Sequence, residues 1–378
     1  MDPAGESGAD GNQEVVQSQS AANGADAMAS RDPRSGEPAQ QQGAVREQRP
    51  VMHIQVVLDR LGFSPGVING EVNEATRNAL RAFQEANGLP VTGTADQATR
   101  ARFARWSSIA PTRVVTIPTE FASGSFQPVP DAPAAKARME RLGYSSLQEK
   151  LAERFHTTPE TLRMLNPGGE PARGGDQVPA SPKPSEAKAT SAGSESSNMT
   201  FRAGQQIRVP NVGHDAIDPS GIDDKDWLTT LRNLGVGTDQ PKVERVVVSK
   251  SKGTLKAYDG AGKLVASYTA TMGSEHDPLP LGEWQIKGIA RNPTFQYDPE
   301  LFWDVPDSDP KQTLPPGPNN PVGVVWIDLS KEHYGIHGTP APQTIGQTES
   351  HGCVRLTNWD AARLAQMVRP GTVAVFEA

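Results

Sequence analysis

The sequence contains a single cysteine, Cys353, in 378 residues. One cysteine cannot form an intramolecular disulfide, and the absence of a C-x-x-C pair gives no indication of a zinc site. There is also no basic run or basic face, and the formal net charge is −7. This charge balance argues against a nucleic-acid-binding surface. The stability of the protein must therefore come from packed cores.

Long apolar runs are missing as well. No stretch approaches the roughly 18 consecutive apolar residues of a membrane span, and the first residues, MDPAGESGADG, lack the basic start and apolar run of a signal peptide. Composition leaves two interpretations open: a cytosolic protein, or an exported protein whose signal has been cut off. No G-x-G-x-x-G or P-loop motif indicates a nucleotide.

The composition predicts several modules joined by linkers. Hydrophobic residues make up 35% of the chain, and 36 Gly and 33 Pro exceed ordinary usage. A chain of 378 residues is too long for one ordinary core. Residues 1–48 are small and polar without periodicity, which predicts a disordered tail.

Helical periodicity begins near Val51. Two stretches of residues 49–106 place apolar side chains on one helical stripe each, and they end at Gly62 and Gly88. The segments GEVNEAT and GTADQAT repeat one turn-then-helix design, which predicts a small three-helix bundle. The Q-x-x-L, G-x-I-x-G, T-x-x-A-L-x-x-F-Q and T-G positions resemble the peptidoglycan-binding domain family. That resemblance implies a noncatalytic cell-wall anchor; the alternative is a helical spacer.

The middle of the chain is predicted to be linker, module and linker. Residues 107–135 and 213–241 are interpreted as linkers, and residues 136–212 as a module with a disordered insertion at about 170–199. Thr157 or Thr158 is the expected N-cap of the second helix, before Pro159. LAERFHTTPETLRMLN and AGQQIRVP resemble a LysM module, although its usual opening strand is missing. Carbohydrate binding and a purely structural role both remain open.

From residue 242 to 378 the pattern is mostly β. Short β-branched and aromatic runs alternate with glycine turns, and one helix, NWDAARLAQMV, is expected to be capped by Thr357 or Asn358. The predicted fold class is multidomain α+β, with a three-helix bundle, a LysM-like module and a mostly β, sandwich-like domain of catalytic size.

The last domain carries the chemistry. A thiol nucleophile needs a base and donors for an oxyanion. Cys353 lies in SHGCVR, and His337, sixteen residues upstream in GIHGTP, can approach from an adjacent strand. The alternative is that Cys353 is an inert packing residue. Arg355 argues against that alternative, because its charge would be costly to bury without a partner.

The segment YGIHGTPAPQTIGQTESHGCVRLTN resembles the signature of the L,D-transpeptidase (YkuD-type) catalytic domain. The resemblance implies that Cys353 is the nucleophile and His337 the general base and acid. It further implies that Ser350, His351 and Gly352 shape the active-site loop, and that the backbone amides of Gly352 and Cys353 hold the oxyanion. The Gly338 carbonyl is expected to orient the His337 ring, and Arg355 to bind a substrate carboxylate or to order the loop. Tyr334 and Trp326 are expected to line the cleft or to belong to the core.

The family resemblance also implies the reaction. The thiolate attacks the diaminopimelate carbonyl of a tetrapeptide stem of peptidoglycan, releases D-alanine, and passes the acyl group to an acceptor amine in a 3-3 cross-link. The acceptor could instead be water, a free D-amino acid or an outer-membrane protein, and a non-catalytic wall-binding scaffold is the third hypothesis. No cofactor and no metal are expected. The family resemblance also implies that carbapenems acylate the Cys353 sulfur. A periplasmic or cell-wall location, with export, follows from the substrate.

The remaining histidines and acidic pairs are expected to be surface or structural residues. None has metal-ligand spacing. The histidines in this group are His53, His156, His214, His276 and His333, and the acidic pairs are Asp223 with Asp224 and Glu275 with Asp277.

Overall fold

The computed structural model describes residues 49–172, 200–213, 216–301, 305–306 and 308–378. The predicted tail at 1–48, most of the predicted insertion at about 170–199, and His214 lie outside these residues. Within the described ranges, no helix is both long enough and apolar enough to cross a membrane.

Three helices form the N-terminal region, as predicted: α1 (Pro50–Arg60), α2 (Glu74–Ala86) and α3 (Gln97–Phe103), the last continued by a 3-10 turn at Ala104–Trp106. Asn73 and Asp96 cap α2 and α3, because each side chain accepts a hydrogen bond from the backbone N–H three residues on. Gly62 and Gly88 follow α1 and α2 with positive φ, which fits their expected role as helix-ending glycines.

The first predicted linker contains regular structure. Strand β1 (Thr112–Thr116) pairs antiparallel with β2 (Gln206–Pro210). The helices α4 (Thr119–Ala122), α5 (Pro133–Lys136), α6 (Leu147–Arg154) and α7 (Pro159–Leu165) lie between the two strands, with a 3-10 turn at Pro167–Gly169. Thr158 is the N-cap of α7. The linker prediction for 107–135 is therefore wrong. Thirty residues separate β1 from α6, and this distance along the chain concealed that β1 pairs with β2.

The second predicted linker is also structured. Residues 213–241 contain a 3-10 turn at Pro219–Gly221 and helix α8 (Lys225–Leu234). Asp224 caps α8, Gly235 ends it in the left-handed conformation, and its buried face carries Trp227, Leu231 and Leu234. The cap, the glycine and the spacing of these apolar residues are ordinary helix signals, so this helix could have been predicted from the sequence.

The C-terminal region is mostly β, as predicted. Its strands are β3 (Arg245–Ser249), β4 (Thr254–Tyr258), β5 (Leu264–Thr269), β6 (Thr271–Met272), β7 (Gly282–Arg291), β8 (Phe295–Tyr297), β9 (Gln312–Leu314), β10 (Val325–Leu329), β11 (Gly335–His337), β12 (Val354–Arg355) and β13 (Val373–Glu377). Two 3-10 turns, Pro299–Leu301 and Pro342–Thr344, and helix α9 (Asn358–Met367), capped by Thr357, complete it.

Nine of these strands form one hydrogen-bonded sheet in the order β5-β4-β3-β13-β7-β10-β11-β12-β6. The long strand β7 joins its halves, because its beginning pairs with β13 and its end with β10. The expected sandwich-like arrangement is thus one continuous sheet, with β8 and β9 as a separate hairpin. The two parallel pairs are β13 with β3 and β11 with β12.

The cores cross the module boundaries. We call the described residues within 112–210, which include β1, β2 and helices α4 to α7, the β1–β2 unit. Met52 and Val56 of α1 share one apolar cluster with Leu151, Phe155 and Ile207 of this unit. The opposite side of α1 contributes Leu58 to a second cluster, which contains Phe63, Leu80 and Phe83 and reaches Leu264 of β5. The N-terminal helices are therefore packed between the β1–β2 unit and the large sheet.

Candidate active site

Cys353 and His337 lie on neighbouring strands. In the parallel pair β11 and β12, Ile336 is opposite Val354 and His337 is opposite Arg355. Side chains two residues apart on a strand point to the same face, so Cys353, just before β12, shares the face of Arg355 and His337. The sheet thus brings the predicted nucleophile and base together, as the sequence analysis expected of a histidine on an adjacent strand.

The His337 ring is held in one orientation. Its Nδ1 donates a hydrogen bond of 2.7 Å to the carbonyl oxygen of Gly338, as expected, and this leaves Nε2 as the unprotonated nitrogen of the neutral ring. The ring stacks on Trp326, with centroids 5.5 Å apart and planes 19° from parallel. Burial and the charge of Arg355 lower the pKa of His337 to about 4 against the opposing effect of the Gly338 contact. His337 is therefore a neutral base at neutral pH.

Cys353 is partly exposed. Burial of the sulfur raises the pKa of Cys353, while the backbone N–H of Gly335 and the charge of Arg355 lower it. The Sγ also lies 3.8 Å from the carbonyl oxygen of His333. Because the thiol keeps its proton more firmly than usual, its reaction as a nucleophile depends on a neighbouring base.

The loop before Cys353 is fixed by the hydroxyl of Ser350. This buried hydroxyl accepts a 2.8 Å hydrogen bond from the N–H of Gly273 and donates a 2.6 Å bond to the carbonyl of Cys353. Gly352 has a φ of +92°, and a Cβ at that position would lie 2.6 Å from the Tyr334 ring. Only glycine fits both the backbone conformation and the space.

The other predicted site residues lie around this pair. Trp326 is in contact with the His337 ring and Tyr334 borders Gly352, and both are partly exposed, so both line the site and neither belongs to the closed core. His351 is partly exposed and lies in the loop between Ser350 and Gly352. Arg355 acts electrostatically on both His337 and Cys353.

Asp277 was expected to lie in a solvated loop or, because it precedes the PLPLGEW turn, at the border of the cleft; the structure favours the second. It lies in a turn where its N–H donates to Ser274 Oγ and its carbonyl accepts from the Ser274 N–H, each at 2.9 Å. Its Oδ2 is buried without a hydrogen-bond partner among the residues described here. The turn follows β6, which pairs with β12, and the Asp277 charge raises the pKa of both Cys353 and Tyr334. No motif marks this residue in the sequence, because the contact depends on strand pairing.

Gly335 and Asn358 are further residues of the site to which sequence reasoning gave no role in the chemistry. A Cβ on Gly335 would lie 2.5 Å from Trp326, which places that ring against the strand beside Cys353. Asn358, buried at the start of α9, lies against Gly338. In the described part of the chain, no group of three or more His, Cys, Asp or Glu residues is arranged to hold a metal ion.

Comparison with protein families identifies two segments of the chain. Residues 243–376 match the L,D-transpeptidase catalytic domain. Residues 47–103 match the family described as "Putative peptidoglycan binding domain". The first match contains the nine-stranded sheet except the last residue of β13, with Cys353 and His337, and the second contains helices α1 to α3.

Related proteins cover only part of the chain. The "Putative L,D-transpeptidase YkuD" of Bacillus licheniformis is 34% identical over 128 residues, which are 34% of this chain and 62% of the relative. The protein of that name in Bacillus subtilis is 51% identical over 55 residues, 15% of this chain and 34% of the relative. The chain thus spans less than two thirds of the length of either relative.

Solved structures are similar at lower identity. L,D-transpeptidase 3 from Mycobacterium tuberculosis, in complex with a faropenem-derived adduct, is 18% identical, with 47% of this chain and 76% of that chain covered and a TM-score of 0.30. An L,D-transpeptidase from Mycobacterium smegmatis is 24% identical, with 36% and 59% covered and the same TM-score.

Proposed function

Because residues 243–376 match an L,D-transpeptidase catalytic domain, we propose that this chain is a peptidoglycan L,D-transpeptidase. The observation that supports the proposal is the pairing of β11, which ends at His337, with β12, which begins next to Cys353, together with the bond of the His337 Nδ1–H to the Gly338 carbonyl. This is the arrangement that general-base activation of a thiol requires. The match of residues 47–103 to a peptidoglycan binding domain supports the same substrate.

In the proposed reaction, Nε2 of His337 takes the Cys353 proton as Sγ attacks the diaminopimelate carbonyl of a donor tetrapeptide stem. The carbonyl oxygen becomes an oxyanion held by the backbone amides of Gly352 and Cys353. The C–N bond to D-alanine then breaks, and His337 returns its proton to the leaving amine. The enzyme is left as a thioester, with no cofactor taking part.

The thioester is resolved by an acceptor amine. The amine loses a proton to His337 and attacks the thioester carbonyl, the C–S bond breaks, and the Cys353 thiol is restored as a 3-3 cross-link forms. Arg355 binds a substrate carboxylate or orders the loop, and Tyr334 and Trp326 border the stem. The same chemistry serves other acceptors: water, a free D-amino acid, or an outer-membrane protein.

The remaining regions are proposed to bring the enzyme to its substrate. Helices α1 to α3 anchor the chain to the cell wall, which places the protein outside the cytoplasmic membrane, in the periplasm or wall, after export. The unit from β1 to β2, a strand followed by helices and a second strand, is proposed to be a LysM-like module. A carbapenem is expected to acylate Cys353.

The test is incubation of the full chain with tetrapeptide muropeptides, with products identified by mass spectrometry. We expect the wild type to release D-alanine and Cys353→Ala to release none, because no other cysteine can replace the nucleophile. His337→Gln should lower the rate by about 100-fold or more, the usual contribution of a general base. D-alanine release by Cys353→Ala would refute the proposal, and the mass of the second product identifies the acceptor.

A further inference from the structure

The catalytic loop runs directly into a buried polar contact with the β1–β2 unit. Asn358 begins α9, five residues after Cys353. Its Nδ2 donates to Glu153 Oε1 at 2.8 Å and to the Pro318 carbonyl at 3.1 Å, and its Oδ1 accepts from the N–H of Val324 at 3.3 Å. These bonds fix the whole amide group.

The Asn358 amide in turn fixes Gly338. A Cβ on Gly338 would lie 2.3 Å from Asn358 Oδ1, so the amide fills the space beside the backbone of Gly338. The Gly338 carbonyl is the acceptor of the His337 ring proton, at 2.7 Å. Asn358 therefore helps to hold the hydrogen-bond acceptor of His337 in place, together with the 3.3 Å bond from the Gly338 N–H to the Val325 carbonyl.

Glu153 is the distant end of this connection. It lies on α6, is buried, and its Oε2 accepts a 2.9 Å hydrogen bond from the Tyr144 hydroxyl. Burial raises the pKa of Glu153 to about 8 against the opposing hydrogen bonds of Asn358 and Tyr144, and the charge of Glu149, on the same helix, raises it further. The neutral acid offers Asn358 a carbonyl-type oxygen without placing a charge inside the protein.

We propose that Glu153 is a positioning residue for His337, acting through Asn358 and Gly338, so that helix α6 of the β1–β2 unit is part of the active-site scaffold. This inference rests on the proposed role of His337 as the base. It also gives the β1–β2 unit a function that needs no glycan: the unit holds the loop between Cys353 and α9 at a fixed distance from the base.

Glutamine and leucine at position 153 separate hydrogen bonding from packing. Glu153→Gln keeps an oxygen for Asn358 and gives the Tyr144 hydroxyl an N–H donor, whereas Glu153→Leu removes both. We expect Glu153→Leu to lower the kcat for D-alanine release by about 10- to 100-fold with little change in KM, since small displacements of catalytic groups have effects of this size. Glu153→Gln should restore kcat to within about threefold of wild type.

The pH profile adds a readout that loss of packing would not change. In the wild type, Glu153 ionises as the pH rises through about 8, and the charged carboxylate then holds the N–H of Asn358 more strongly than the neutral acid does. We therefore expect the pH profile of Cys353 alkylation by iodoacetamide to show an inflection near that pH in the wild type, in addition to that of the thiol itself, and none there in Glu153→Gln. An inflection that persists in Glu153→Gln would overturn the inference.

Thr157→Val is the matched control. It removes a buried 2.6 Å hydrogen bond between the same unit and the Ile68 carbonyl of the N-terminal helices, away from His337. It should lower the thermal unfolding temperature and leave kcat and the alkylation profile as in the wild type. The inference is also overturned if folded Glu153→Leu keeps a kcat within about threefold of wild type. If Glu153→Leu does not fold, the Glu153→Gln profile decides.

The experiment distinguishes this inference from the proposed function. Absence of D-alanine release by the wild type would count against the transpeptidase activity only. The alkylation profiles of wild type and Glu153→Gln would still test the connection from Glu153 to His337, because iodoacetamide needs no peptidoglycan.

Discussion

The Cys353 thiol lies between opposite charges. Burial raises the pKa of Cys353, the Gly335 N–H and Arg355 lower it, and Asp277 raises it. A negative charge beside a nucleophilic thiol disfavours the thiolate. The local electrostatics therefore favour the protonated form of Cys353 at rest.

Asp277→Asn tests this balance. Removing the carboxylate should lower the pKa of Cys353, because one of the charges that raise it is lost while Arg355 stays. The midpoint of the pH dependence of iodoacetamide alkylation is expected to shift to lower pH. Glu275→Gln, at an exposed neighbouring position, is the control and should leave the midpoint unchanged. An unshifted midpoint in Asp277→Asn would contradict the placement of Asp277 beside the thiol.

The two strands that carry His337 and adjoin Cys353 are short. Strands β11 and β12 contain three and two residues, and their positions depend on the loop fixed by Ser350. Such strands carry too few residues for an alternating pattern, so the sequence did not predict them. The same loop was nevertheless recognisable in the sequence, because Ser350, His351, Gly352 and Cys353 are consecutive residues of a motif.

Gly352→Ala should disrupt this loop. A side chain at φ +92° is strained, and its Cβ would lie 2.6 Å from Tyr334. We expect the free energy of unfolding to fall by about 1–2 kcal/mol and D-alanine release to fall by about 100-fold as Cys353 moves.

Gly262→Ala is the matched control for Gly352→Ala. Gly262 has a φ of +75°, but nothing lies within 4 Å of its Cβ position. It should show a similar loss of stability in urea titration with no loss of activity. Equal activity in both variants would show that the contact with Tyr334 does not matter for catalysis.

On the scale of the whole molecule, three regions meet at one buried ionic cluster. Asp59 of α1 accepts two hydrogen bonds from Arg363 of α9, at 3.0 and 3.1 Å, and its Oδ1 lies 3.1 Å from His156 Nδ1. His156 stacks on Trp359 at 5.0 Å. Burial raises the pKa of Asp59, but the charge of Arg363 and the contacts of His156 hold it well below its usual range.

Asp59→Asn should strongly destabilise the fold. The substitution leaves Arg363 the longer 3.7 Å contact to Asp360, and removing one partner of a buried ion pair costs about 3–5 kcal/mol. Because the pKa of Asp59 is lower in the folded than in the unfolded state, its contribution is present above about pH 4 and is lost as the pH falls below that value. Urea titrations of wild type and variant at neutral and acidic pH measure both effects.

Glu244→Gln is the control for Asp59→Asn. Glu244 pairs with Arg369 at 2.8 Å, but both side chains are exposed. Such pairs contribute about 0–1 kcal/mol, so this variant should change the free energy of unfolding little. Similar losses in both variants would contradict a special role for the buried cluster.

The sequence by itself determined the three N-terminal helices, the mostly β C-terminal region and the candidate pair Cys353 and His337, and it narrowed two helix caps to Thr157 or Thr158 and to Thr357 or Asn358. These are local patterns or short motifs, in which the informative residues lie within a few turns or one loop. Only the tertiary structure decided the partnership of β1 with β2, the effect of the Asp277 charge on the thiol, and the contacts of Asp59 and Glu153. Each of these joins residues far apart in the chain, and a buried charge or a strand partner has no local sequence signal because its energy comes from the segment packed against it.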